Sequence, residues 1–138
     1  MSITIPATHL DLLEQPLVVT LATVMPDGQP HTTAIWRRYD GELIRFTTSR
    51  GTQKEKNLRA NPQVSLLALD PYNPYRYLEI RGSVEAMSED GAIEELDRIT
   101  RFYTGQPSYY GHIVPAEDFG TRTHLICRIR PAKIVTRG

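Results

Sequence analysis

The sequence lacks the residues that would indicate a disulfide framework, a metal centre or a membrane span. It has one cysteine, Cys127, and its four histidines fit neither a Cys-x-x-Cys nor a His-Glu-x-x-His spacing. An intrachain disulfide is therefore excluded, and no metal site is predicted. The sequence shows no signal-peptide pattern and no apolar run approaching the roughly 18 residues of a membrane helix. We therefore expect a cytoplasmic protein with no membrane partner.

The sequence also lacks an excess of either positive or negative charge. Sixteen Lys and Arg residues face 16 Asp and Glu residues, so the formal net charge is zero. A uniform basic field is absent, and nucleic acid is not predicted as a partner. The length of 138 residues suits a single domain over 1–138.

Several motifs of nucleotide and acyl-transfer enzymes are absent as well. There is no Gly-x-Ser-x-Gly elbow, no Walker A loop and no Gly-x-Gly-x-x-Gly fingerprint. Cys127 falls inside a predicted strand, where a single cysteine is more often a small packing residue than a reactive thiolate. Serine hydrolase, P-loop and Rossmann functions therefore have no support in the sequence.

What the sequence does contain is a succession of short strands. Turn dipeptides after the first and second strands predict that the first three form an antiparallel meander. Strands are predicted over 17–24, 30–39, 42–48, 63–70, 77–86 and 123–130. Helices are predicted over 6–15, 52–60 and 88–105, with Ser88 as the N-cap of the last. Alternation in the fifth strand puts Leu78, Ile80, Val84 and Ala86 on one face.

These elements favour a mainly β fold. About six strands with few helices between them predict a small antiparallel barrel, closed or partly split, with helices at its rim. A parallel sheet would need a crossover helix between most strands, which the sequence does not provide.

Segment 46–62 carries the strongest chemical pattern. A strand ends in hydroxyl residues, passes Arg50-Gly51 and opens a helix bearing Lys54. Phosphate needs hydrogen-bond donors and positive charge in one place, and this arrangement provides both. Alternatively, Thr52 only caps the helix while Lys54 and Lys56 are solvated. The residues alone leave both interpretations, an anion site and a simple helix cap, open. The candidate anion ligands are Thr47, Thr48, Ser49, Arg50, Thr52 and Lys54.

The same segment, FTTSRGTQKEKNLRANP, resembles the strand-turn-helix of the pyridoxamine 5′-phosphate oxidase-like split barrels. Their pattern is Phe-Tyr-Thr, a short loop, Ser-x-Lys and Leu-x-x-Asn-Pro. From about residue 8 to 135 the chain is most similar to the branch of deazaflavin (coenzyme F-420)-dependent oxidoreductases. The similarity runs through LATVMPDGQPHTTAIW, DGELIRFTTSRGTQKEKNLRANPQVSL and DPYNPYRYLEIRGSVEAMSEDGA.

The resemblance implies a homodimer of six-stranded split barrels, with FMN or the related 5-deazaflavin held at the dimer interface. By position, Arg76 and Tyr77 would reach the cofactor of the partner chain. An aromatic residue on a barrel strand is more often core, but the resemblance favours cofactor contact for Trp36. The implied phosphate ligands are Thr47, Thr48, Thr52, Gln53 and Lys54, and the residues beside the ring are Thr33, Ala34 and Trp36.

The implied function is transfer of a hydride from reduced coenzyme F-420 to an electron-poor small-molecule substrate. No catalytic acid or base is identified. The alternatives are an FMN-binding oxidoreductase on the same scaffold and a non-catalytic protein that binds a cofactor or haem. Vitamin B6 oxidase activity is disfavoured because Gln53 stands where those enzymes have Arg, and because their C-terminal Trp and Arg-x-His tail is missing. Tyr109 and Tyr110 could line a substrate mouth or cover a dimer seam.

Overall fold

The structure, a computed structural model, describes residues 3–138. Its helices are α1 (Asp11–Glu14), α2 (Gln53–Ala60) and α3 (Ala92–Thr104), with one turn of 3-10 helix at Ala116–Asp118. Its strands are β1 (Val19–Val24), β2 (Pro30–Ile35), β3 (Arg38–Tyr39), β4 (Ile44–Ser49), β5 (Gln63–Leu69), β6 (Tyr77–Ser88) and β7 (His124–Arg137).

All seven strands form one antiparallel sheet in the order β2-β1-β5-β6-β7-β4-β3. The two edge strands, β2 and β3, are neighbours in sequence and are joined only by Trp36 and Arg37. A joint of two residues brings the edges of the sheet together at one seam, so the sheet curls into a split barrel. The predicted mainly β split barrel is confirmed, with seven strands rather than six.

The extra strand arises because the predicted strand over 30–39 breaks at this joint. Arg37 is fully buried there, and its Nη2 donates hydrogen bonds to the carbonyl oxygens of Leu12 (3.0 Å) and Gln15 (2.8 Å). Both antiparallel pairings of the predicted meander form, but the middle strand is divided into β2 and β3. β2 pairs with β1, whereas β4 pairs with β3 on one side and β7 on the other.

Two local predictions at the end of β6 fail. The pairing of β6 with β7 shifts between Val84 and Ala86, and such a bulge interrupts side-chain alternation. Ala86 is consequently exposed, while Met87 packs against the core. Ser88 does not cap α3, because it lies in β6, where its hydroxyl accepts a hydrogen bond from Arg128 (3.1 Å). The N-cap is Gly91, whose φ of 76° suits a residue without Cβ.

The barrel interior is apolar and closely filled. Phe46 of β4 and its register partner Cys127 of β7 are fully buried at its centre. Burial raises the pKa of the Cys127 thiol to about 12, so the thiol stays protonated at neutral pH. The packing role predicted for Cys127 is confirmed. Among residues 3–138, no helix is long and apolar enough to cross a membrane.

Candidate functional site

A groove runs along β4 and is made of three adjacent cavities that share lining residues. We call it the β4 groove. Its first cavity, of about 380 Å³, contains Ala34, Trp36, Thr47 and Lys54 in its lining. A second, of about 240 Å³, continues past Thr47, Thr48 and Ser49. The third, of about 550 Å³, is lined by Ser49, Arg50, Gly51, Thr52, Thr121, Arg122 and Thr123.

Lys54 is the cation in the first cavity. Its side chain is half-buried, with Nζ 5.8 Å from the centre of the Phe46 ring, so the alternative in which Lys54 is simply solvated does not hold. Burial lowers the pKa of its ammonium group, and no ion pair to a carboxylate is formed within the described residues. An ammonium group held in a cavity without a counter-ion is suited to binding an anion.

The start of α2 is held by its own side chains. The Thr52 hydroxyl accepts a hydrogen bond from the Glu55 amide (3.2 Å) and donates one to the Ser49 carbonyl (2.9 Å). The Glu55 carboxylate accepts from the Gly51 amide (2.8 Å) and pairs with Arg59 (2.6 Å). This reciprocal cap fixes the turn, and the Thr52 hydrogen is already committed to it. The capping interpretation is thus correct for Thr52, whereas Lys54 keeps its donors free.

The opposite end of the groove presents an aromatic face. Trp36 follows the end of β2 and stacks on Tyr103 of α3, with ring centres 5.0 Å apart and planes 9° apart. Ala34 is exposed beside it, and a side chain this small leaves room for a flat ring. Thr33 points to the other face of β2, where its hydroxyl is enclosed and has no hydrogen-bond partner in the described chain.

Four residues singled out in the sequence do not line the β4 groove: Thr33, Gln53, Arg76 and Tyr77. The Gln53 side chain donates to the Asn57 side chain (2.8 Å). Arg76 pairs with Asp11 and Asp70 and so ties the region of α1 to the start of β6. Contact of Arg76 and Tyr77 with a partner's cofactor remains a prediction.

The structure adds residues that the sequence did not indicate. Arg122 lines both the second and the third cavity, and His124 lines the second. His124 enters because it is the register partner of Ser49 in the pairing of β7 with β4. Burial lowers the pKa of His124, and its ring shares a hydrogen bond of 2.6 Å with the Tyr110 hydroxyl. Tyr109 and Tyr110 both line the groove, and their role at a substrate mouth or a dimer seam stays a prediction.

The groove is basic at its far end. Arg50 and Arg122 both line the third cavity, and the only ion pair of Arg50 in the described chain is a 3.4 Å contact with the exposed Glu89. Such an exposed pair is weak and easily replaced by another anion. Within residues 3–138, no three His, Cys, Asp or Glu side chains are grouped to hold a metal ion. The site can therefore hold a flat ring at one end and anionic groups at Lys54 and at the two arginines.

Residues 5–131 match the protein family described as "Pyridoxamine 5′-phosphate oxidase". The chain is 37% identical over 78 residues to a pyridoxine/pyridoxamine 5′-phosphate oxidase of Aeromonas hydrophila, which is 55% of this chain and 36% of that protein. For the protein of the same name from Rhodopseudomonas palustris, identity is 36% over 81 residues, or 58% and 38% of the two chains. The match thus spans little more than a third of these relatives' length.

Solved structures resemble the whole chain. An F-420 reductase superposes with a TM-score of 0.81 at 38% identity, covering 95% of this chain and 98% of that one. A conserved hypothetical protein from Mycobacterium tuberculosis superposes with a TM-score of 0.76 at 28% identity, covering 99% and 86%. The likeness therefore includes the barrel and the segments that form the β4 groove.

Proposed function

The chain belongs to the pyridoxamine 5′-phosphate oxidase family, and from that membership we propose that this oxidoreductase uses the deazaflavin coenzyme F-420 to reduce an electron-poor small molecule. The observation that carries the proposal is that the β4 groove continues beyond Lys54 to Arg50 and Arg122. FMN ends at its phosphate. The deazaflavin coenzyme carries a lactyl-glutamate tail beyond its phosphate, and a tail of carboxylates matches a cavity flanked by two arginines.

The residues present fit a group of this kind. The ammonium group of Lys54 would hold the phosphate, aided by the hydroxyl of Thr47. The indole of Trp36 and the small side chain of Ala34 would face the ring. Arg50 and Arg122 would hold the tail. When bound, the deazaflavin supplies two-electron hydride transfer, so the protein needs to orient it and exclude water rather than to form bonds itself.

Apolar side chains on one side of the first cavity would exclude water from the ring of the cofactor. Leu96 and Ile99 of α3 are buried, and they line the first cavity together with Ile113. These side chains line the same cavity as Trp36, so the ring end of the groove is more apolar than the end at Arg122. A low local dielectric strengthens the interaction of Lys54 with a phosphate.

We also propose that two chains form a homodimer through the outward face of β5. Leu67 and Leu69 lie two residues apart on that face and are 39% and 45% exposed, although β5 is in the middle of the sheet. Val18, which is 58% exposed, precedes β1, the neighbouring strand. Apolar side chains aligned on a central strand are typical of a surface that a second copy covers.

An FMN-dependent oxidoreductase is the second candidate. The first cavity alone, with Trp36 at one end and Lys54 at the other, is sufficient for a flavin that ends at its phosphate. Oxidation of pyridoxamine phosphate, the activity in the names of the curated relatives, is less well supported. Gln53 stands where those enzymes have Arg, and it is bonded to Asn57. For a haem-binding role, the only histidine that lines the described groove is His124, and its Nε2 is hydrogen-bonded to the Tyr110 hydroxyl.

Titration of the purified protein with three ligands tests the proposal. The ligands are coenzyme F-420, a tail-free deazaflavin that ends at its phosphate, and FMN. We expect coenzyme F-420 to bind most tightly and the other two to bind alike, because only the tail reaches Arg50 and Arg122. Equal or tighter binding of FMN would support the FMN alternative. Binding without oxidation of reduced F-420 by any of a panel of electron-poor acceptors would support the non-catalytic alternative.

A further inference from the structure

Trp36 is the only tryptophan of the chain, and its ring is held by a neighbour on α3. The Tyr103 ring is nearly parallel to the indole, with planes 9° apart and centres 5.0 Å apart. In the sequence, Tyr103 only continues the helical spacing of Ile93, Leu96 and Ile99. In the structure it is the residue against which the indole lies.

The Tyr103 hydroxyl is itself fixed from two sides. It donates a hydrogen bond to the carbonyl oxygen of Leu17 (2.6 Å) and accepts one from the backbone amide of Arg37 (3.2 Å). Leu17 lies just before β1, and Arg37 follows Trp36 directly. One phenol thus joins α3, the entry to β1 and the backbone beside the indole. Burial raises the pKa of Tyr103, so the hydroxyl keeps its proton at neutral pH.

The contact between Trp36 and Tyr103 matters because Trp36 lies in the joint between β2 and β3, outside both strands. Two residues alone connect the edges of the sheet, and among the described strands no ladder of hydrogen bonds includes Trp36. Arg37 lies with Cζ 5.9 Å from the centre of the Tyr103 ring and is fully buried, which anchors the residue after the indole. Orientation of the indole therefore depends on Tyr103 rather than on the sheet.

We propose that Tyr103 is a positioning residue that sets the plane of Trp36 and so preorganises the ring end of the β4 groove for a flat cofactor. This inference rests on the proposed function, because it assigns the ring of the cofactor to the cavity that Trp36 lines. A face already held in the bound orientation does not lose rotamer freedom when the ligand arrives. Loss of the stacking partner should therefore weaken ligand binding without changing the contacts of the phosphate or the tail.

Three variants separate the ring of Tyr103 from its hydroxyl. Tyr103→Leu removes the stacking partner, Tyr103→Phe keeps the ring and removes the hydroxyl, and Tyr72→Leu removes a tyrosine that is 94% exposed in a distant loop. Trp36 fluorescence anisotropy and acrylamide quenching in the ligand-free protein report the mobility of the indole directly. We expect greater mobility and quenching in Tyr103→Leu, and wild-type values in Tyr103→Phe and Tyr72→Leu.

Binding gives the second readout. We expect the affinity for coenzyme F-420 to fall about three- to tenfold in Tyr103→Leu, the range of an aromatic pair, and to stay within about twofold in Tyr103→Phe. Tyr103→Met, which fills the space with a flexible apolar chain, replaces the leucine variant if that one does not fold. Indole mobility in Tyr103→Leu or Tyr103→Met equal to that in Tyr103→Phe would overturn the proposal. Since the fluorescence arm needs no ligand, failure of the wild type to bind any flavin counts only against the proposed function.

Discussion

Arg38 holds Glu95 in a bidentate ion pair, with Nε to Oε2 at 2.7 Å and Nη2 to Oε1 at 2.8 Å. The pair joins α3 to β3, the edge strand at the seam of the barrel, and Arg45 of β4 adds a second cation 3.5 Å from the same carboxylate. Glu95 is almost fully buried, so its charge is tolerated only because both arginines are present.

Arg38→Met should destabilise the protein by about 3 kcal/mol, because it leaves a buried carboxylate with only the longer contact to Arg45. The free energy of unfolding in urea measures the effect. Arg81→Met, which breaks a more exposed pair with Glu79, is the control and should cost about 1 kcal/mol or less. The interpretation fails if the two variants lose equal stability.

Acid should remove the difference in unfolding free energy between Arg38→Met and the wild type. Burial alone would raise the pKa of Glu95, but the hydrogen bonds and charge of Arg38 hold it below its usual value. A lowered pKa means that the stabilisation is present above the unfolded pKa and is lost as pH falls through the folded one.

Lys54→Ala should weaken binding of coenzyme F-420 by about 1.5–3 kcal/mol, the range of hydrogen bonds to charged groups. Lys56→Ala is the matched control, because it removes the same charge from an exposed position of the same helix. Fluorescence titration measures both affinities. A similar loss in the two variants would mean that Lys54 acts only through the general field of the helix.

Binding should also depend on pH through Lys54. Burial lowers the pKa of this ammonium group, which is charged below its pKa and neutral above it. Affinity should therefore fall as pH rises, and the fall should begin at a lower pH than the ordinary lysine pKa of about 10.4 would give. Dissociation constants between about pH 7 and pH 10 measure this. Lys54→Arg stays charged throughout and should show no such fall; a fall of equal size in that variant would place the titrating group elsewhere.

Arg122→Ala should distinguish the ligand tail from the phosphate. The affinity for coenzyme F-420 should fall by about 1 kcal/mol, a modest value because Arg122 is exposed and screened by salt. FMN affinity should not change, because its phosphate is expected at Lys54 in the first cavity, which Arg122 does not line. Calorimetric titration of both ligands at low and physiological salt gives the comparison. An equal loss for FMN would show that Arg122 binds the phosphate instead.

Leu67→Glu should convert the dimer to monomers. It would place a charge within the proposed interface and opposite Glu79, its register partner on β6. Light scattering at micromolar concentration measures the mass. Gln106→Glu, which adds the same charge in the exposed loop after α3, should remain dimeric. A wild-type monomer would refute the proposed dimer.

Local sequence patterns were sufficient to predict the turns, most strands and the start of α2. Thr52 is a candidate N-cap of α2 in the sequence, and in the structure its hydroxyl accepts the hydrogen bond of that cap. The same local segment brings Thr47, Ser49, Arg50 and Lys54 to one groove, because a strand, a short turn and a helix place them within a few residues of one another. Such features depend on contacts between residues close in sequence, which local residue preferences govern.

Contacts between residues far apart in sequence determined the strand order and the remaining residues of the groove. Arg122 and His124 reach the groove only because β7 pairs with β4, more than 70 residues earlier in the chain. The strand predicted over 30–39 breaks after Ile35, where Arg37 is buried between the two halves. Thr33 faces away from Ala34 because strand alternation separates them. Stacking of Trp36 on Tyr103 likewise joins residues far apart in sequence. Residue preferences act over a few neighbours, whereas strand order and the choice of packing partner are set by burial of the whole sheet, so only the tertiary structure could decide them.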